Sequence, residues 1–253
     1  MNNAALPAES ALRHAFAQAT SRTPGAGEVA FYAQHLAMAG PSLAAMCAAG
    51  GLLLPLIAAG HNVHGVDPSA LAIAACEAQL AQRGLTAPLF RQPLPELNLP
   101  FRYGAAFIAA GALQRIVDPL LAFNALSRLR AHLGAPMTLV VECVLPPEAL
   151  HAPGAPVVEV RTATTADGAQ IVWRSETRVD VEGRRIDRSN RFEKRAGRTI
   201  VAREDDRSAL TWYPREELDA LLRSVGFAHV DFEAPCWQAD GAAEQRIVAI
   251  ARG

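Results

Sequence analysis

A carboxylate that follows a buried strand is the residue of this sequence best placed to bind a ligand. Asp67 ends the apolar run 62–66, which follows a turn of small residues (48–51) and an apolar segment (52–59). A strand, a glycine-bearing turn, a helix and a second strand that ends in an acid form half of a nucleotide-binding unit. In such units the acid accepts hydrogen bonds from ribose hydroxyls. The alternative is a structural role, because an Asp before a Pro-Ser dipeptide also starts helices.

The stretch around Asp67 resembles the class I S-adenosylmethionine-dependent methyltransferases, and the resemblance extends from about Phe31 to the C-terminus. Small-molecule members read Leu-Leu-Leu-Pro-Leu after the turn and then Gly-His-x-Val-x-Gly-Val-Asp-x-Ser. Residues 52–56 and 60–69 match these two segments. The resemblance implies methyl transfer to a small molecule, with S-adenosylmethionine as the cofactor.

The glycine-rich turn of the family is altered in this chain. Ala44 stands where the family has an acid, Met46 stands at the first glycine and Ala48 at the second, while Gly50 is retained. Glycine lets the backbone approach a ligand and adopt positive φ. Met46 therefore either fills the space of the cofactor or turns into the core, where methionine fills irregular gaps. Two functions stay open: a working methyltransferase, or a protein of that fold that has lost the cofactor and acts as a partner, as a scaffold or on another metabolite.

Other cofactor positions follow from the resemblance. The family places a tyrosine near the amino-acid end of the cofactor, at the position of Tyr32. The alternative is an aromatic residue that covers the top of the sheet, since aromatic burial requires no ligand. The family places an acid for the adenine amino group after the third strand, where Pro93 now stands. Proline has no polar side chain and no N–H group, so Gln92 is the remaining candidate there. The candidate cofactor-binding residues are Tyr32, Met46, Cys47, Ala48, Gly50, Asp67, Pro68, Gln92 and Ala110.

No general base is assigned, because a sulfonium donor requires only an aligned nucleophile and the exclusion of water. Arg115 occupies a position where the family often has histidine. It stays protonated, so it either holds an anionic group of a substrate or pairs with Asp118 at the surface. Glu142, inside an apolar run, requires either a partner or a functional role. The candidate substrate-binding residues are Arg115, Trp173, Arg174, Arg191, Trp212 and Tyr213.

Strand and helix patterns alternate up to residue 144 and predict a doubly wound α/β domain. The resemblance implies a Rossmann-like seven-stranded sheet of order 3-2-1-4-5-7-6 with the last strand antiparallel. Beyond Pro146-Pro147, apolar and polar residues alternate between glycine-bearing breaks, which predicts consecutive antiparallel hairpins. The predicted organisation is N-terminal helices that cap the site (1–40), a methyltransferase core (41–147 and 208–253), and an antiparallel β insertion (148–207) that covers a substrate pocket or forms a dimer contact.

The predicted helices are 7–20, 28–39, 52–59, 69–83, 118–133 and 214–224. The predicted core strands are 43–47, 62–66, 88–92, 103–110, 137–144, 229–233 and 245–252. The predicted strands of the insertion are 157–164, 169–181, 185–194 and 199–202.

Composition narrows the partners that we expect. A net charge of −1 provides no basic face for nucleic acid, and no apolar run reaches the roughly 20 residues that cross a bilayer. The four cysteines include no CxxC pair, so their spacing indicates no zinc site. The N-terminus lacks a secretory pattern, which predicts a cytoplasmic protein. We expect a small-molecule substrate, no nucleic acid or membrane partner, and a homodimer or a heterodimer with an active relative.

Overall fold

The structure is a computed structural model and describes residues 10–145, 156–235, 237 and 245–253. The α-helices in these ranges are α1 (Ala11–Thr20), α2 (Ala26–Gln34), α3 (Leu53–Ala58), α4 (Ala70–Gln82), α5 (Pro119–Ala131) and α6 (Arg215–Ser224). The first strands are β1 (Ser42–Ala45), β2 (Val63–Asp67), β3 (Leu89–Arg91), β4 (Tyr103–Ile108), β5 (Leu133–Leu145) and β6 (Val157–Thr164). The later strands are β7 (Gln170–Asp180), β8 (Arg185–Ala196), β9 (Thr199–Thr211), β10 (His229–Glu233) and β11 (Gln245–Arg252).

The central sheet has seven strands in the order β3-β2-β1-β4-β5-β11-β10. Strands β1 to β5 pair in parallel, whereas β11 is antiparallel to both β5 and β10. Because β10 and β11 are the sixth and seventh strands of this sheet along the chain, the predicted order and the predicted antiparallel last strand are confirmed.

Two apolar clusters cover the two faces of this sheet. One cluster contains Leu126 and Leu129 of α5 and Leu218 of α6, and the other contains residues of α2, α3 and α4. Neighbouring side chains of a strand point to opposite faces, so Leu43 joins the first cluster and Ala44 the second. Strands buried on both faces are apolar throughout, which explains why β1 and β2 were recognisable as continuous apolar runs.

Predicted capping residues set the ends of the helices around the sheet. The Ser69 hydroxyl accepts a hydrogen bond from Ala72 N at 3.0 Å and starts α4, while Asp118 accepts from two amides and starts α5. Gly60 and Gly84 follow α3 and α4 with φ of +89° and +64°, the left-handed conformation that ends helices. Helix α2 ends at Gln34, five residues before the predicted end at 39. The predicted start of the first helix at residue 7 lies outside the described residues.

Strands β6 to β9 form a separate antiparallel sheet in sequence order. The chain divides into two compact units, one of which contains α1 and most of this sheet. Within that unit, Phe16 of α1 packs against the rings of Trp173 and Phe192, with centroids 5.6 and 5.9 Å away. Strand β9 is much longer than the predicted 199–202. Five consecutive charged residues, 203–207, fill its middle on both faces, so no apolar alternation marks that part.

The apolar face of α5 offers a direct test of this packing. Leu126 is 0% exposed, whereas Leu120 on the same helix is 67% exposed. We expect Leu126→Ala to lower the free energy of unfolding by about 2–5 kcal/mol, since it removes core contacts and leaves a cavity. Leu120→Ala is the matched control and is expected to change it by less than about 0.5 kcal/mol. Urea unfolding followed by circular dichroism measures both, and equal effects would contradict the packing.

Candidate functional site

The turn after β1 keeps the backbone of a glycine-rich loop without its glycines. Met46, Ala48 and Gly50 have φ of 56°, 50° and 88°. For residues with a Cβ, this left-handed conformation costs on the order of 1–3 kcal/mol. The turn is held in place because Cys47 N donates to Val66 O at 3.0 Å and Gly50 N donates to Cys47 O at 2.9 Å.

Side-chain packing explains which glycine of the turn is retained. A Cβ atom on Gly50 would overlap Leu54 Cδ1 and lie 2.7 Å from Cys76 Sγ, so this position leaves no room for a side chain. Ala48 is exposed. Met46 is partly buried and packs against the apolar cluster that contains Leu126 and Leu129 of α5. This agrees with the alternative that Met46 turns into the core.

Asp67 connects the turn to the start of α4. Its Oδ2 accepts a hydrogen bond from Ala48 N and its Oδ1 accepts one from Ser69 N, both at 2.9 Å. The residue is 7% exposed. An ionised carboxylate accepts about four hydrogen bonds, so its structural role and the binding of a diol are compatible. The next residue, Pro68, is partly exposed, and its carbonyl accepts from Arg91 Nε at 3.4 Å.

Gln92, the candidate for the adenine end, is engaged within its own loop. Its Oε1 accepts a hydrogen bond from Asn98 N at 2.8 Å, and its Nε2 donates to Asn98 O at 3.1 Å. Pro93 follows it and precedes a 3₁₀ turn. The carboxamide therefore closes the 92–98 loop, and the structure gives its oxygen a partner other than a ligand.

Four elements of the fold meet at the carboxylate of Glu142, near the carboxyl end of β5. Glu142 is 0% exposed. Its Oε2 accepts hydrogen bonds from the Tyr32 hydroxyl and from Ala110 N, both at 2.8 Å, and its Oε1 pairs with Arg246 Nη1 at 2.5 Å. Burial and the neighbouring Glu142 carboxylate raise the pKa of Tyr32 well above its usual value, so Tyr32 is a hydrogen-bond donor at neutral pH.

A second carboxylate–arginine pair lies on the same side of the sheet. Arg22 donates from both terminal nitrogens to the buried Glu28, at 2.5 and 2.8 Å. The hydrogen bond with Glu28 raises the pKa of Arg22, and the charge of Glu142 contributes to the same shift. The two arginines and the two glutamates balance in charge around Tyr32.

Most residues of this charged network cannot be recognised from the sequence. Glu142 stands out as an acid in an apolar strand, whereas Arg22, Glu28 and Arg246 carry no motif. The available signal is that Glu28 and Tyr32 lie four residues apart on α2 and so share one face of that helix.

The turn after β4 is fixed from two sides. Ala110 and Gly111 have φ of 52° and 68°, and Glu142 holds the amide of Ala110. The buried Gln114, in the 3₁₀ turn that follows, accepts from Val144 N at 2.7 Å and donates to Val144 O and Thr211 O, both at 2.9 Å. Gln114 was missed as a site residue. Arg115, its neighbour, is exposed.

The remaining substrate candidates belong to both compact units. In the unit that contains α1, Trp173 is a partly buried core residue whose Nε1 donates to Asn190 Oδ1 at 3.0 Å. Arg174 and Arg191 line a polar concavity of about 500 Å³ on the antiparallel sheet, where Arg191 pairs with Asp205 at 2.7 Å.

The other two candidates, Trp212 and Tyr213, precede α6 and are partly buried. Burial, with smaller contributions from Cys143 and Glu217, raises the pKa of Tyr213 to about 12.

Neither a membrane-spanning helix nor a metal site is found among the described residues. No helix there combines the length and apolarity needed to cross a bilayer. Nor do three His, Cys, Asp or Glu side chains of that part converge as a metal site requires.

Comparison with known proteins identifies the fold. No protein-family profile matches the chain, and no curated protein sequence is similar to it. Among solved structures, the chain is similar to a S-adenosylmethionine-dependent methyltransferase from Clostridium acetobutylicum (14% identity, 93% of each chain covered, TM-score 0.72). It is also similar to the CcbJ methyltransferase from Streptomyces caelestis (21% identity, 94% of this chain and 95% of the other, TM-score 0.72).

A third similar structure is an amino pentose methyltransferase from Micromonospora echinaspora with bound S-adenosylmethionine (18% identity, 97% of this chain and 98% of the other, TM-score 0.69). Likeness at such low identities establishes the fold. The chain therefore has the α/β fold of the S-adenosylmethionine-dependent methyltransferases, as the resemblance implied.

The strained turn leads to a stability prediction. We expect Ala48→Gly to raise the free energy of unfolding by about 0.5–1 kcal/mol. It relieves positive φ at an exposed position, and this gain exceeds the extra entropy of glycine in the unfolded chain. Ala49→Gly in the same turn is the control. Ala49 does not have positive φ, so this change is expected to destabilise by a similar amount. Urea unfolding measures both, and a loss of stability in Ala48→Gly would contradict the interpretation.

The Glu142 network leads to a second prediction. Glu142→Gln removes the buried charge that accepts from Tyr32 and Ala110 N and pairs with Arg246, and we expect the free energy of unfolding to fall by about 3–5 kcal/mol. The control is Asp231→Asn, which breaks the exposed pair between Asp231 and Arg252 in the same sheet. That change is expected to cost less than about 1 kcal/mol. Comparable losses of stability in the two variants, measured by urea unfolding, would contradict the prediction, because the buried pair would then stabilise the protein no more than the exposed pair does.

Proposed function

We propose that this chain is a methyltransferase that uses S-adenosylmethionine and acts on a small molecule. The observation that carries the proposal is the turn after β1, which keeps left-handed residues at Met46, Ala48 and Gly50 and directs Ala48 N to Asp67. Strain in residues that have a Cβ persists only where the surroundings impose it, and it is concentrated at ligand sites. The fold shared with known methyltransferases supports the same conclusion.

The described residues fit the cofactor at one end better than at the other. Asp67 would accept the ribose hydroxyls, and the main chain of residues 46–48 would lie along the ligand. Tyr32 is 0% exposed and its hydroxyl is bonded to Glu142, so it would support the amino-acid end of the site from beneath rather than contact the ligand. At the adenine end, Pro93 offers no hydrogen-bonding group and Gln92 is engaged by Asn98. We therefore expect binding that depends more on the ribose contacts than on the adenine contacts.

The cofactor would supply a methyl group on a positively charged sulfur, which a nucleophile attacks directly. The protein's task is then to hold the substrate in line and to exclude water. Ala110 and Gly111 are small residues at the end of β4, and hydrogen bonds of Glu142 and Gln114 hold that turn in place. Since Arg115 stays protonated, it cannot take a proton from the substrate, and we expect a nucleophile that attacks without prior deprotonation, such as a neutral amine. One of the similar structures is an amino pentose methyltransferase, so amino sugars are the first substrates to test.

Calorimetric titration with S-adenosylmethionine and S-adenosylhomocysteine tests the proposal. We expect micromolar dissociation constants for the unmodified chain. Asp67→Asn should weaken binding by about tenfold or more, since a hydrogen bond to a charged group contributes roughly 1.5–3 kcal/mol and 1.4 kcal/mol corresponds to tenfold in affinity. Glu216→Gln, at an exposed acid in the first turn of α6, is the control and should leave binding unchanged.

Absence of binding up to millimolar concentrations, in protein whose circular dichroism shows it to be folded, would overturn the proposal. It would favour the alternative that the fold now serves as a partner, a scaffold or a site for another metabolite. Equal loss in Asp67→Asn and Glu216→Gln would place the ligand elsewhere.

A further inference from the structure

Strand β6 is an outer strand of the four-stranded sheet and is rich in exposed valine. Within the ranges that the structure describes, the sheet order β6-β7-β8-β9 gives β6 and β9 a neighbouring strand on one side only. Val157, Val158 and Val160 of β6 are 52%, 46% and 56% exposed. An outer strand presents a row of unpaired N–H and C=O groups, so an exposed apolar one is a template for pairing with another strand.

Strand β6 is regular along its whole length. Its eight residues pair with β7 in one continuous register, from Val157 opposite Thr177 to Thr164 opposite Gln170. The segment 157–164 contains neither proline nor lysine. Bulges, proline and lysine are the features that commonly protect an outer strand from pairing. The edge of β6 is therefore suited to accept a further strand.

The other outer strand, β9, is protected by charge. Five consecutive charged residues, 203–207, fill its middle. Two of them are also engaged by α1, since Glu204 accepts a hydrogen bond from Leu12 N at 3.0 Å and Asp206 pairs with Arg13 at 3.2 Å. Charged side chains on an outer strand oppose its pairing with another chain. We therefore expect a partner at β6 and not at β9.

The sequence of β6 is complementary to itself about Val160. When two copies of one strand pair antiparallel about a two-fold axis perpendicular to the sheet, each contact between two residues occurs twice. Residues directly opposite each other share a face of the sheet, and neighbours along a strand do not, so the axis passes through a residue. With the axis at Val160, Glu159 of each copy lies opposite Arg161 of the other, and the two copies of Val160 are in contact.

The neighbouring registers lack this match. An axis at Glu159 or at Arg161 places two like charges opposite each other, which destabilises a strand pair. An axis at Val158 or at Thr162 places an apolar residue opposite Glu159 or Arg161. The axis at Val160 alone among these five gives both charged residues an opposite charge, and such cross-strand pairs stabilise a sheet.

We propose that a second copy of this chain pairs with β6 in this register, so that the two antiparallel sheets join into one continuous sheet of eight strands. A homodimer is one of the assemblies expected from the sequence, and this contact is independent of the proposed methyl transfer. Glu159 and Arg161 already pair within one chain at 2.5 Å, so four charges would alternate in sign around the axis. A pair of short strands is a small interface, and small interfaces are weak. We therefore expect a dissociation constant in the micromolar range.

Sedimentation velocity of the full chain, from submicromolar to high micromolar concentration, tests the dimer. We expect the unmodified chain to pass from monomer to dimer. Val160→Lys places two like charges at the axis and should raise the dissociation constant about tenfold or more. Val201→Lys on β9 is the matched control, since Val201 is also 56% exposed, and should leave the dimer unchanged. A monomer at every concentration, or an equal effect of the two changes, would overturn the proposal.

Charge reversal tests the register itself. Glu159→Arg alone and Arg161→Glu alone each place like charges opposite one another, so each variant should dimerise more weakly than the unmodified chain. An equal mixture of the two variants restores opposite charges at both positions and should form a heterodimer. Both side chains are at least 42% exposed, and circular dichroism verifies that each variant is folded. A mixture that stays monomeric, or single variants that dimerise as tightly as the unmodified chain, would overturn the proposed register.

Discussion

The Glu142 carboxylate is fully enclosed, so each of its oxygens has to be satisfied by the protein itself. A buried unpaired charge costs several kcal/mol, and this cost is offset only by close partners of good geometry. The partners come from α2, the turn after β4 and β11, which are far apart along the sequence: Tyr32, Ala110 and Arg246. Each of these elements therefore has to be in place before the charge is accommodated. The candidate site depends on this requirement, because the same contacts fix the turn after β4 and the hydroxyl of the buried Tyr32.

Backbone conformation and residue type carry different information in the turn after β1. The family motif uses glycine to reach the left-handed conformation, and here Met46 and Ala48 adopt that conformation despite their side chains. The surrounding hydrogen bonds impose the shape, since Cys47 is tied to β2 and Ala48 to Asp67. The turn therefore keeps its backbone shape without these glycines. The functional question concerns the affinity of the turn for a cofactor and not its conformation.

The sequence predicted the central sheet because local physics determines it. Strands buried on both faces are apolar throughout, and capping residues such as Ser69 act within one helical turn. The strand order came from the family resemblance. Prediction failed where no local pattern exists. The middle of β9 is charged on both faces. Two partners of Glu142, Tyr32 and Arg246, lie 110 and 104 residues away along the chain. The hydrogen bonds between Gln92 and Asn98 were also missed, because a carboxamide can bond equally well to a ligand or to the main chain of its own loop.

The hydrogen bonds of Gln114 have a consequence for behaviour at different acidities. Its carboxamide joins β5 to the segment before α6 through Val144 and Thr211, and an amide group neither gains nor loses a proton in ordinary buffers. This support of the turn after β4 therefore keeps its hydrogen-bonding groups unchanged across that range of pH.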